Sequence, residues 1–294
     1  MGQLISAIMN GIATGVPLFL VSSGLTLIYG VMGVLNFAHG ALFMIGAYAL
    51  ATLLTGQVTN IGLFLLCAVL AAAVVAAIGM AAERGIFSWL YNAGHMINLL
   101  AAYALMLILV GLSILIWGTK IYNVQRPTEL AGAVDLGLLS IPVYNLFTIG
   151  LGAAVAVGLW LLISKSSYGV KIRAVAYDRT TARALGVRAP LIGMGVFALG
   201  GALAGLAGAL TAPLISVAPG IDAAYALQSF VIIIIGGLGS IWGALIAALA
   251  VGLIQSFLVY YAHDWAAYGM YILVAIVLLF WPQGLFSRSA STAH

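Results

Sequence analysis

Long apolar runs separated by short polar breaks fill most of the 294-residue chain. A helix needs about 20 apolar residues to cross a hydrocarbon core. Runs near that length cover 5–30, 38–55, 61–82, 97–118, 143–163, 190–212, 241–261 and 266–282. One more, 223–240, either crosses fully or enters and breaks at Gly236-Gly237-Leu238-Gly239-Ser240. The pattern therefore predicts eight or nine spans. Unpaired backbone groups are costly in lipid, so only helices or closed barrels cross it. Barrel strands are short and alternate apolar with polar residues, which these continuous runs do not. The predicted fold class is all-α: a polytopic helical membrane protein with broken or re-entrant helices, one transmembrane domain over 1–294. Residues 2–8 contain no Lys or Arg, so a signal-peptide n-region is missing and the first span is expected to be retained.

Two segments interrupt the apolar pattern. The segment 119–141 carries Lys120, Arg126, Pro127, Glu129 and Asp135, and reads as turns or a short hairpin. It is either a connector or a docking face for an external partner. The segment 165–190 carries Lys165, Lys171, Arg173, Arg179, Arg183 and Arg188 against the single acid Asp178, so six minus one leaves +5. Basic loops stay in the cytoplasm. Nine crossings threaded from that loop also place Arg84 and Arg288 inside, and only Lys120 and Arg126 outside. Eight crossings would move Arg288 outside, so nine is favoured, with the N-terminus outside and the C-terminus inside.

Within the basic loop, Asp178 is a good N-cap for a helix over Arg179 to Leu185. Gly186 is placed to end it, with Pro190 beyond. Ala182 and Leu185 are expected on one face, Arg179 and Arg183 on another. So short a helix needs tertiary support to persist in water. It is either a solvated loop that sets topology or a knob seated in a partner.

Composition narrows the function. The chain is 65% hydrophobic and 5% charged, with mean hydropathy +1.23, against about 25% charged in soluble domains. A net charge of only +4, with a single loop carrying +5, argues against a nucleic-acid partner. Cys67 stands alone, so no intrachain disulfide or Cys-based zinc site is built. His95 and His263 lack further ligands at metal-like spacing, and no cofactor or catalytic residue is expected. No lysine follows the Gly-Lys-Ser/Thr pattern of a phosphate-binding loop, so the chain does not hydrolyse ATP by itself. No ionised side chain is expected at the centre of a span, which argues against a proton relay and suits a neutral or zwitterionic solute.

Glycine is abundant, 36 in all. The pairs Gly11/Gly15, Gly201/Gly205 and Gly239/Gly243 let helices approach closely. Two Gly-rich breaks differ: Tyr29 to Gly40, containing Asn36 and His39, and Gly236 to Gly243, containing Gly237, Gly239 and Ser240. Broken helices placed early and late in a chain point to a transport path. Asn36 and His39 are expected to cap the broken helix; contact with the solute is the alternative reading. Trp242, Trp265 and Trp281, with Tyr260, Tyr261, Tyr268 and Tyr271, read as interfacial anchors.

The run from Ser23 to Gly40, followed by Gly46-Ala47-Tyr48, resembles the bacterial branched-chain amino-acid ABC-transporter permeases of the Liv H type. So do the segment Asp178 to Gly186 and the run Gly236-Gly237-Leu238-Gly239-Ser240-Ile241-Trp242-Gly243-Ala244. The resemblance implies a permease subunit in the bacterial inner membrane, paired with a second permease, usually as a heterodimer. Two cytoplasmic ATPases lie beneath the pair, and an extracytoplasmic binding protein delivers the solute. It implies that Asp178, Arg179, Thr181, Ala182, Arg183, Leu185, Gly186 and Val187 form a coupling helix seated in the ATPase. Asn36, His39, Gly40, Gly236, Gly237, Gly239 and Ser240 then mark the helix breaks of the path. The stretch Phe87 to His95 departs from the pattern, where relatives carry more Arg and Pro, so urea, amides or other amino acids stay open as cargo. A self-contained channel or facilitator for a small neutral solute is the alternative from another class.

Overall fold

A computed structural model describes residues 2–33, 35–54, 60–91, 93–135, 140–266, 268–281 and 284–286. Helix α1 (Gly2–Met32) is followed by α2 (His39–Leu53) and α3 (Ile61–Ala82). A π-helical turn (Glu83–Phe87) and α4 (Ser88–Leu90) continue α3 without a break. Then come α5 (His95–Trp117), a short hairpin of β1 (Ala133–Asp135) and β2 (Ser140–Pro142), and α6 (Val143–Trp160), extended by a second π-helical turn (Leu161–Lys165). The chain closes with α7 (Ser167–Tyr177), α8 (Arg179–Ala184), α9 (Ala189–Thr211), α10 (Ile221–Gly236), α11 (Ile241–Tyr261) and α12 (Gly269–Phe280). Among the described residues, six helices are long and apolar enough to cross a membrane, and α2, α10 and α12 are shorter apolar helices.

Helix α9 is the hub, packed against α1, α2 and α3. Glycine makes that possible. A Cβ at Gly24 of α1 would stand 2.6 Å from the Gly200 carbonyl oxygen of α9. One at Gly201 of α9 would stand 2.8 Å from the Val75 carbonyl oxygen of α3. Gly46 of α2 lies backbone to backbone on Gly205. In lipid, where no hydrophobic effect draws helices together, such close approach supplies the attraction. Gly11 and Gly15 serve α1 in the same way against Leu253 and Ala248 of α11. The third expected pair differs. Gly239 lies in a turn at φ +83°, not on a helix, and Gly243 packs on Gly236 across that turn.

The two ends of the bundle separate by charge. At one end Asn10 of α1 donates to Tyr260 of α11 and accepts from Asn145 of α6. Glu129 accepts from the Ile61 amide at the start of α3, beside the Asn60 cap on Gly62. Lys120 and Arg126 belong to this end. The other end carries Arg84, Lys165, Lys171, Arg173, Arg179, Arg183 and Arg188 on or beside the π-helical turns, α7 and α8. The excess of positive charge gathers at this second end.

Several expectations are refined. The predicted span 38–55 is a helix of 15 residues, about 22 Å long, with 12 of them buried. It begins deep in the bundle, because the His39 ring bonds to the Val21 carbonyl, at 2.8 Å, well inside α1. Non-helical backbone at that depth is tolerated only when enclosed by protein, and Asn36, Ala38 and His39 are buried. The predicted span 61–82 runs on to Leu90 and so takes in Glu83. Asp222 is a buried residue in the first turn of α10. The run 223–240 ends its helix at Gly236; Gly237 then turns at φ +93°. Amides of Leu285 and Phe286 bond to the carbonyls of Ile235 and Gly236, satisfying the end of α10.

Candidate functional site

The basic end is built from two consecutive helices. Ser166 ends the long α6 segment and caps α7, its hydroxyl accepting from the Gly169 amide at 3.0 Å. Gly169, Ile172 and Val175 then face inward, so α7 lies against α1 and α9. The sequence reading missed this helix. Its signal was present: a Ser cap followed by apolar residues three apart, hidden by Lys171 and Arg173 on the outer face.

Asp178 does double duty. It closes α7 and caps α8, its side chain accepting from the amides of Thr180 at 2.8 Å and Thr181 at 3.1 Å. The Thr181 hydroxyl also donates to it. These bonds favour the ionised form, so hydrogen bonding from the Thr181 side chain and then its amide holds the carboxyl below its ordinary range. Gly186 ends α8 at φ +84°, with the Val187 amide on the Ala182 carbonyl and the Gly186 amide on the Arg183 carbonyl, a closure that needs a left-handed residue.

The faces of α8 are not those expected. Ala182 is 2% exposed and packs inward, whereas Leu185 lies past the helix end and is 79% exposed. Tyr177, just before the cap, is 94% exposed. Arg183 projects outward with them. Arg179 does not: its guanidinium lies over the Tyr91 ring, 3.3 Å from the centroid. The outward set is thus Tyr177, Thr181, Arg183, Leu185 and Gly186, an apolar pair among polar and basic groups.

The two helix breaks differ in their surroundings. In the first, the Asn36 side chain accepts from the Ala38 amide at 3.1 Å and its carbonyl takes the His39 amide. Gly40 lies against the Asp222 carbonyl and Ala226 of α10. All three polar or small residues are enclosed. In the second break, Ser240 caps α11 on the Gly243 amide at 3.0 Å, and Gly239 and Ser240 line a cavity of about 1270 Å³. It lies among α1, α6, α7 and the α10–α11 turn, with Phe19, Thr26, Trp160 and Trp242 in its wall. Among the described residues, no three His, Cys, Asp or Glu side chains gather to hold a metal ion.

Residues 7–281 match the family model described as "Branched-chain amino acid transport system / permease component". The chain belongs to this permease family. The relatives agree. The high-affinity branched-chain amino acid transport system permease protein BraD of Pseudomonas aeruginosa is 31% identical, covering 96% of this chain and 95% of its own. The corresponding LivH protein of Escherichia coli is 28% identical over 95% and 94%. A probable branched-chain amino acid transport permease protein LivH of Methanocaldococcus jannaschii is 28% identical over 91% and 88%. As a member of the permease family, the chain is a multi-pass membrane protein of the ABC-transporter class. The permease core, from α1 to α12, falls within the matched residues almost entire.

Proposed function

We propose that this chain forms half of the translocation path of an ATP-driven importer for branched-chain or related amino acids in a bacterial inner membrane. It pairs with a second permease subunit, receives its solute from an extracytoplasmic binding protein, and is driven by two cytoplasmic ATPases. The observation that carries this reading is α8. A helix of six residues, bonded at both ends and projecting from the basic end with Tyr177 and Leu185 bare, is built to be held by something. Lone short helices do not persist in water, and exposed apolar side chains on a rigid mount mark a docking face. Asp178, Thr181, Ala182, Arg183, Leu185, Gly186 and Val187 shape that knob, while Arg179 ties it to the membrane body.

The apolar path suits the cargo. The cavity beside Gly239 and Ser240 offers aromatic and aliphatic walls with the Thr26 and Ser240 hydroxyls, a setting for a zwitterion with an apolar side chain. The test is assembly and uptake. Leu185→Cys in a chain whose Cys67 is replaced should cross-link to a co-expressed ATPase subunit, and vesicles holding the complex should take up leucine, isoleucine or valine only with ATP inside. Uptake by the permease alone, without ATPase subunits, would establish the facilitator instead. ATP-driven uptake of urea or an amide, but of no amino acid, would leave the mechanism and change the cargo.

A further inference from the structure

Beneath α3, a carboxylate, a phenol and a guanidinium meet where none of them sees water freely. Glu83 is fully buried, and its Oε1 accepts from the Tyr91 hydroxyl. Its Oε2 is buried without a hydrogen-bond partner. The Arg179 guanidinium stacks on the other side of the phenol, over the ring. Its three nitrogens are buried, and among the described residues none of them makes a hydrogen bond of full geometry. Gly193 of α9 closes the cluster: a Cβ there would stand 2.6 Å from Glu83 Oε1 and 2.9 Å from the Tyr91 hydroxyl. Four segments therefore converge: the end of α3, the turn after α4, the start of α9, and α8.

We propose that Glu83, Tyr91 and Arg179 form a latch through which movement of α8 is passed to the end of α3. The proposal rests on α8 being held by an ATPase. Three observations support it. First, among the described residues Arg179 is the one side chain of α8 with an electrostatic contact to the membrane body, the other inward residue being the small apolar Ala182. Second, Glu83 opens a π-helical turn, Glu83–Phe87, and such turns, with their wider i→i+5 bonding, are frequent at functional sites. Third, the latch holds opposite charges close together with unused capacity on both sides. Buried charges without full pairing are costly. A second arrangement satisfies both: the guanidinium slides off the ring and donates to Glu83 Oε2. Two discrete arrangements of one packed cluster are what a mechanical switch requires.

Glu83, Tyr91 and Arg179 are positioning residues, so the readout is coupling rather than turnover. The assembled complex in proteoliposomes is assayed for solute carried per ATP hydrolysed. Glu83→Gln and Tyr91→Phe keep the shape of the cluster and remove one charge or one hydroxyl. Each should lower that ratio about tenfold, equal to ~1.4 kcal/mol of coupling. The double variant should fall no further than the worse single variant, because both act through one unit. Cross-linking of Leu185→Cys to the ATPase should persist in every variant. A ratio unchanged in both single variants, or additive losses in the double, overturns the latch. The unmodified complex gives an independent reading: amide exchange over 83–91 should change when a non-hydrolysable nucleotide binds the ATPases. Unchanged exchange there also overturns it. Absence of the cross-link in the parent complex is a different failure. It removes the docking of α8, and the latch with it.

Discussion

Asp178 shows how one side chain sets the geometry of a docking element. Its carboxylate caps α8 and its backbone ends α7, so the angle between the two helices turns on this residue. Asp178→Ala should speed amide exchange at Thr180 and Thr181 several-fold, and Asp178→Asn should restore most of the protection, since Asn caps nearly as well. The pH dependence has a definite sign. A carboxyl held below its ordinary range stabilises the fold above the unfolded value, near 4, and loses that contribution as pH falls through the folded value. Exchange at these amides, corrected for intrinsic rates, should therefore be flat across neutral pH and rise only in acid. This cap was legible in the sequence because Asp178, Gly186 and Pro190 lie within one short stretch. The burial of Arg179 was not, because Glu83 and Tyr91 come from a distant part of the chain and no local pattern pairs them.

At the level of the helix, apolar length revealed most of the spans but not their depth. Run 38–55 has the composition of a crossing, yet its helix starts deep in the bundle, since Asn36 and His39 find partners there. Composition reports which residues tolerate lipid or a core, and α2 occupies the core. The same limit hid the continuation of α3, where Glu83 looks like a loop residue until its phenol partner is placed. Glycine spacing was the better guide: Gly201 and Gly205 do face α3, though the contacts of Gly205 with α2 came only with the fold. Gly205→Leu should therefore wedge α9 away from α2 and α3, costing about 1–3 kcal/mol. Thermal unfolding in detergent checks this, and Gly85→Leu, where a Cβ meets open space, is the control and should shift the midpoint far less.

Across the whole molecule, the gathering of basic residues at one end and the order of the helices predict one orientation. In a chain with Cys67 replaced, Lys120→Cys should react with a membrane-impermeant thiol reagent added outside intact cells, and Arg183→Cys only after the membrane is opened. The reverse pattern would invert the whole reading of which end meets ATPases. One feature of the fold also bears on how the permease is made. The carbonyls at the end of α10 are bonded by the amides of Leu285 and Phe286, so a corner formed midway through the last third of the chain is finished by residues synthesised long after it. Until the ribosome has passed residue 286, that corner waits with two bare acceptors. A nascent permease stalled upstream of that point would hold its other helices in place and still present an unfinished wall to the quality-control proteases of the membrane.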